Sequence, residues 1–292
     1  MNYTLKKPQD DTKKPQTKKR FQDVNVSLIA GIAIIAGLTL LGVVMTFWPL
    51  NNPSLSLGGR LEGPSARFWL GTDDIGRDTF TRVAQAALTG VAVSIAAAAG
   101  ACMVGAVIGA FTGYVSGWPD KVIMRVVDAL LAIPSILIVL ILRLVLGTGV
   151  WQLVLALAFL YSPSVVRVIR STVLVTRRSD FVALAEIAGV NTPSILLKYL
   201  LPNSLPTLLV QGASVGSNAV VLEAVLSYLG QGIQPPQPSA GRMLYEYTKF
   251  MQTSPMLLIA PAMVVFLLTV GWNLTADGLQ RALLITRSGV KK

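Results

Sequence analysis

Five stretches of this chain contain no charged residue: 24–59, 83–119, 144–166, 199–222 and 250–276. A helix needs about 20 mainly apolar residues to cross a hydrocarbon core of about 30 Å, and each stretch is long enough. A sixth segment, 120–142, is apolar except for Asp120, Lys121, Arg125 and Asp128 near its start. In lipid every backbone N–H and C=O must be satisfied internally, which restricts spanning segments to helices or closed barrels. No period-two alternation competes with these runs. The predicted fold class is therefore all-α integral membrane, with about six transmembrane helices. Charged residues make up only 13% of the chain, about half the share found in soluble domains.

A net charge of +11 raises the question of a nucleic-acid surface. The basic residues do not gather on one face of a compact domain; they lie between apolar spans, as the positive-inside rule requires. With the N-terminus inside, 18 of the 25 Lys and Arg residues fall on the cytoplasmic side, in the tail, at Lys121 and Arg125, from Arg167 to Lys198, and after the last span. Only Arg60, Arg67, Arg77, Arg82, Arg143, Arg242 and Lys249 fall outside. The reading is a multi-pass protein with both termini cytoplasmic, lipid around it and no nucleic-acid partner. Its expected segments are a basic tail (1–25), a first span with its outer loop (26–80), a transmembrane core (81–283) carrying a cytoplasmic loop at 172–205, and a C-terminal tail (284–292). The tail, Pro- and Gln-containing, is expected to be disordered. The first apolar run ends at Trp48-Pro49 without a small-residue cleavage site, so it is expected to stay as an anchor.

Reactive chemistry is scarce. Cys102 is the only cysteine and there is no histidine, which removes an internal disulfide, a histidine metal site and a histidine base. No Gly-Lys pair occurs, so a phosphate-cradling loop is missing too. Gly212-Ala213-Ser214-Val215-Gly216 fits a nucleophile-elbow pattern, but it lies in an apolar run with no base to activate the serine. No catalytic residue, cofactor or metal is expected in this chain.

Other patterns concern packing and shape. Ala97, Ala101, Gly105, Gly109 and Gly113 recur every four residues, a ladder that lets a second helix approach closely in lipid. That helix belongs either to this chain or to a partner subunit. Arg125 and Asp128, three apart, can pair along one helix face. Pro134, Pro163 and Pro261 are expected to bend their spans. In the loop, Asp180–Gly189 reads as a short helix capped by Ser179 or Asp180 and stopped by Gly189. Thr192-Pro193 then starts a second helix that runs towards Leu201-Pro202. Phe181, Leu184, Ala185 and Ala188 fall on one face of the first helix. Spacing leaves two readings open, a docking knob for another protein or an amphipathic helix lying on lipid.

The segment Ala183-Leu184-Ala185-x-x-x-Gly189 followed by Leu201-Pro202 resembles the coupling loop of bacterial binding-protein-dependent ABC importers. Three more segments resemble the dipeptide/oligopeptide/nickel permeases, in particular the second, shorter-looped permease of the pair. They are Gly71-Thr72-Asp73-Asp74-Ile75-Gly76-Arg77-Asp78, then Met124–Asp128 with Ala132-Ile133-Pro134, and Leu226–Pro238. Asn273–Leu279 resembles the family's C-terminal segment, and together the matches cover roughly 70–283 in order. The resemblance implies a type I ABC importer permease fold in a bacterial cell membrane. It implies import of di- or oligopeptides, or alternatively of nickel or another small solute. The implied partners are a homologous second permease, two cytoplasmic subunits that bind ATP and Mg, and an extracytoplasmic substrate-binding protein. On this resemblance Asp180, Phe181, Ala183, Ala185, Glu186, Gly189, Leu201 and Pro202 form the ATPase-coupling loop. Gly71, Thr72, Asp73, Gly76, Arg77, Asp78, Arg125, Asp128 and Pro134 carry family motifs. The chain departs from the pattern at Ala183 (usually Glu), Glu186 (usually basic), Tyr199 (often His) and Ala240 (commonly aromatic). A secondary transporter or channel is the rival class, and the shortage of intramembrane carboxylates and of inverted repeats weighs against it.

Overall fold

The computed structural model describes residues 15–289, and side chains between residues 26 and 283. Residues 1–14 of the expected tail and the final three residues lie outside the described part. The elements in order are α1 (Pro15–Phe47), α2 (Thr79–Val115), α3 (Gly117–Ala132), α4 (Ser135–Leu146), α5 (Val150–Thr176), α6 (Asp180–Ile187) and α7 (Thr192–Ile195). A π turn (Leu196–Leu200) then leads into α8 (Leu201–Tyr228), followed by α9 (Ala240–Tyr247) and α10 (Pro255–Gly289). Among the described residues there is no strand, only an isolated bridge between Thr72 and Asp78. Val26–Phe47, Thr79–Val115, Val150–Thr176, Thr192–Tyr228 and Pro255–Leu283 are each long and apolar enough to cross a membrane.

The sixth span is broken rather than merely bent. α3 and α4 meet at 98° around Ile133 and Pro134. Proline disfavours the helical conformation in the residue before it, and Ile133 is extended, at φ −84° and ψ 134°. The pair still runs from one end of the bundle to the other. At its start, Asp120 of α3 takes a bidentate ion pair from Arg170, late in α5. At its end, Arg143 of α4 donates to the carbonyl of Gly149, just before α5 begins. Pro163 and Pro261 lie inside helices that continue past them.

Several boundaries differ from the sequence expectation. The third charge-free stretch stops at 166, but α5 continues to Thr176 because Arg167 and Arg170 are paired with Asp128 and Asp120 of α3. Asp128 therefore pairs with Arg167, not with Arg125, which is exposed. The segment after Asn191 is the start of the α8 span and not a separate helix. Its cap is Asn191, whose side chain accepts from Ser194 N at 3.1 Å, so Thr192 is one position inside the helix. Pro202 and Pro206 cannot donate backbone hydrogen bonds, and the π turn just before them absorbs the mismatch. α9 was not foreseen: it is short and sits in what reads as an outer loop.

The small-residue ladder of α2 packs within the chain, against α5. A Cβ on Gly105 would overlap the Val165 side chain, one on Gly109 would lie 2.7 Å from Val166 O, and one on Gly113 would lie 2.8 Å from Val173 Cβ. Lipid tails are as apolar as the helices, so association depends on such close fit. α1 is joined to α10 in the same manner, with Gly278 against the Leu28 backbone and Gly271 against Ile34 and Ile35. We predict that Gly109→Leu lowers stability by about 1–3 kcal/mol through overpacking. Gly37→Ala, where nothing lies within 4 Å, should leave stability unchanged or slightly raised. Thermal loss of monodispersity in detergent would show whether the two variants separate in this way.

Candidate functional site

α2 contains 37 residues, and at about 1.5 Å per residue it is about 55 Å long. That length exceeds the hydrocarbon core, so structures at its two ends lie on opposite membrane faces. The two groups of motif residues divide between these ends.

At the C-terminal end of α2 lies α6. Ser179 precedes it without a side-chain capping bond; its hydroxyl donates back to Thr176 O. Asp180 occupies the first turn. The helix closes in a Schellman motif: Gly189 N donates to Glu186 O and Val190 N to Ala185 O, both at 3.1 Å. Gly189 has φ +75°, a conformation that glycine enters without a Cβ penalty. The space around its missing Cβ is open, so the backbone turn alone requires glycine. Val182 is buried with Ile169, Val173, Ile195 and Leu200, and Ala185 is buried as well. Phe181, Leu184 and Ile187 are turned outward, with exposures of 41%, 65% and 83%. Ala185 thus belongs to the inner face and Ile187 to the outer, because the helix anchors through Val182 and Ala185. Phe181 stacks on Tyr199, and Ala183 is exposed.

Glu186, unusual for the motif it resembles, has a local explanation. It accepts a hydrogen bond of 3.0 Å from the Tyr114 hydroxyl at the end of α2. Arg177 covers the Tyr114 ring at 5.0 Å and donates to Ser116 Oγ at 3.1 Å. α6 is therefore tied to α2 by polar contacts and to the α5–α8 core by apolar ones. Leu201 N donates to Leu196 O, and Pro202 sits in the first turn of α8.

At the opposite end, residues 71–78 form a tight cap on α2. Gly71 and Gly76 have φ +76° and +82°, and a Cβ on either would strike the backbone carbonyl of Glu62 or Gly58. Thr72 donates to Gly59 O at 2.6 Å and accepts from Glu62 N at 2.9 Å. Fully buried Asp73 accepts from Ile75 N and Arg77 N, pairs with Arg77 Nε at 2.6 Å, and lies 3.7 Å from Arg82 Nε. Asp78 caps α2, accepting from Phe80 N and from Thr81 Oγ1. Lys249, beyond α9, pairs with Asp74 and so joins that region to the same end.

Two buried groups outside the sequence-derived set hold this end together. Arg143 donates to Gln231 O, Gly149 O and Gly232 O at 2.7–3.0 Å. Glu223 accepts from Ser227 and Ser239 hydroxyls at 2.7 and 2.9 Å. The available signal was a lone arginine or carboxylate in an otherwise apolar run; the carbonyl partners of Arg143 could not be read from sequence.

Between the two ends, α8 carries Asn203, Thr207, Gln211, Ser214 and Asn218 at spacings that keep them on one face. Asn203 donates to the carbonyl of Tyr199 in the π turn, and Ser214 to that of Val210 within α8. Thr207, Gln211 and Ser214, with Gln280 of α10 and Val168 of α5, line a cavity of about 380 Å³. Ser214, the centre of the elbow-like pattern, is thus an ordinary helical residue.

The architecture defines a polytopic α-helical membrane protein with structured caps at both ends of its core. Residues 105–284 match the family of binding-protein-dependent transport system inner membrane components. A dipeptide transport system permease of Alkalihalophilus pseudofirmus is 35% identical over 282 residues, covering 96% of this chain and 91% of that protein. A glutathione transport system permease of Pectobacterium atrosepticum is 34% identical over 271 residues, covering 91% and 88%. A glutathione permease of Escherichia coli is 37% identical over 225 residues, covering 76% and 73%. This chain belongs to the family of binding-protein-dependent transport system inner membrane components.

Removing the negative charge of Asp73 should be costly, because it leaves enclosed arginines without a counter-charge. Asp73→Asn is expected to lose about 3 kcal/mol of stability. Asp128→Asn, in an ion pair exposed on both sides, should lose no more than about 1 kcal/mol. Comparable thermal shifts for the two purified variants would contradict the assignment of Asp73 as the centre of the cap.

Proposed function

We propose that this chain is one permease subunit of an ATP-driven importer of di- and oligopeptides in a bacterial cell membrane. A homologous second permease completes the path, two cytoplasmic subunits bind ATP and Mg, and an extracytoplasmic binding protein delivers the solute. The observation that carries the reading is α6, a short helix with an outward apolar face and an inner face fixed to the core. The names of the relatives support peptide-type solutes, and the excess of basic residues supports placing α6 and both termini in the cytoplasm.

The proposed cycle uses α6 as the point of purchase. Partner ATPase subunits closing on ATP push on Phe181, Leu184 and Ile187. The Glu186–Tyr114 bond and the Val182–Ala185 anchor pass that displacement to α2 and α5 as a unit. The α3–α4 break and the π turn before α8 are the compliant places, since neither has a continuous α-helical ladder. The path face is the α8 stripe from Asn203 to Asn218, because a row of amide and hydroxyl side chains is costly against lipid. Amides and hydroxyls suit the peptide backbone, which every peptide shares.

Gly189→Val tests the coupling role. A β-branched residue at positive φ costs about 1–2 kcal/mol, enough to reduce the correctly turned population about tenfold. Peptide uptake and the ATPase stimulation caused by loaded binding protein should fall together in reconstituted vesicles, while assembly is retained. Ala183→Glu, at an exposed position, should behave as the parent. A Gly189→Val importer that assembles and transports at the parental rate would refute the role given to this loop.

A further inference from the structure

At the α2 N-terminal end a cavity of about 360 Å³ lies between the start of α2, the proline-rich segment and α9. Its walls include Arg77, Arg82, Arg242 and Glu246, with Pro235, Pro236, Pro238 and Met243 as the apolar side. Arg77 spends its Nε on Asp73, and Arg242 spends its Nε on Glu246 at 2.9 Å. The terminal nitrogens of these two guanidinium groups form no hydrogen bond with another described residue. Arg82 is enclosed further: its side chain is 9% exposed, its Nε is 3.7 Å from Asp73, and that nitrogen has no hydrogen-bond partner.

The other two unpartnered buried polar atoms among the described residues belong to the same two helices but do not line the cavity. They are Thr79 Oγ1, one turn before Arg82, and the Tyr247 hydroxyl of α9. Arg82, Asp73 and Arg77 all act on that phenol, and burial pushes its pKa up. Buried polar groups are ordinarily hydrogen-bonded, so Arg82, the one of the three that lines the cavity, calls for a partner. The charge count sets the sign of that partner. Three arginines face Asp73 and Glu246, leaving one positive charge, which matches one monoanion. Guanidinium terminal nitrogens form a fork that fits a carboxylate in a bidentate manner.

We infer that this cavity is a binding site for a carboxylate, and that its occupant during import is the C-terminal carboxylate of the solute peptide. The choice of occupant rests on the peptide-importer reading; the carboxylate chemistry does not. The cavity admits the end of a small peptide beside its proline wall. It recognises a group that all such peptides share, so the site would be indifferent to side chains.

The test uses the assembled importer in nanodiscs, with both permeases and the ATPase subunits but without binding protein or nucleotide. Radiolabelled acetate and radiolabelled glycylglycine are the direct probes in equilibrium dialysis, with glycylglycinamide as competitor. Both probes should bind saturably and displace each other, and the amide should compete about tenfold less well, the loss of one charge-assisted contact. Arg242→Gln should weaken both probes about tenfold. Glu246→Gln, which frees Arg242, should tighten both, so a shift in opposite directions separates the site from misfolding. Equal competition by the amide, or unchanged binding in an intact Arg242→Gln complex, would overturn the proposal. Parental peptide uptake by the same complex in sealed vesicles supplied with ATP and binding protein, without saturable binding of either probe in nanodiscs, would remove the site and leave the importer reading standing. Arg242-dependent acetate binding without any peptide uptake would do the reverse.

Discussion

The close seam between α2 and α5 is the contact on which the remaining architecture depends. Gly105, Gly109 and Gly113 bring the α2 backbone against Val165, Val166 and Val173, and no solvent-driven collapse is available to do this inside lipid. With α2 fixed in that way, each of its ends becomes a platform. One end is capped by Asp78 and the 71–78 turn; the other presents Tyr114 to Glu186. The same helix thus holds the 71–78 cap and the loop helix in one frame.

The polar groups are placed where the apolar seam alone would leave backbone groups exposed. Arg143 satisfies three carbonyls where α4, α5 and the end of α8 meet. Asp120 and Arg170 neutralise each other where the broken span begins. Such pairs would contribute little at a water-exposed surface, but enclosed ones fix register because losing one partner strands the other. Their positions lie at the ends of the broken span, where α3 and α4 meet α5 and the end of α8.

Much of this was legible in the sequence because lipid imposes a simple rule. Charge-free runs of sufficient length become spans, so the helices were visible from the spacing of charges alone. The turn at Gly189 was visible because glycine after an apolar helix has few other uses. What escaped depended on partners distant in sequence. Arg167 and Arg170 marked the apparent end of a span until Asp128 and Asp120 supplied counter-charges that let α5 continue. The burial of Ala185 and the exposure of Ile187 reversed part of the expected helix face, since a face is defined by the neighbour it meets. α9 is too short for its period to stand out. The importance of Arg82 and Tyr247 arises only where α2 and α9 come together.

The central claim is that the 71–78 cap and α6 occupy opposite faces of a membrane, joined through α2. Single cysteines at Ile75 and Ile187, both exposed, can report this in a Cys102→Ala background, with the chain expressed alone so that α6 is uncovered. A membrane-impermeant maleimide applied to intact spheroplasts should label Ile75→Cys directly. It should label Ile187→Cys only after the membrane is opened. Labelling of both positions from the same side of a sealed membrane would contradict the account.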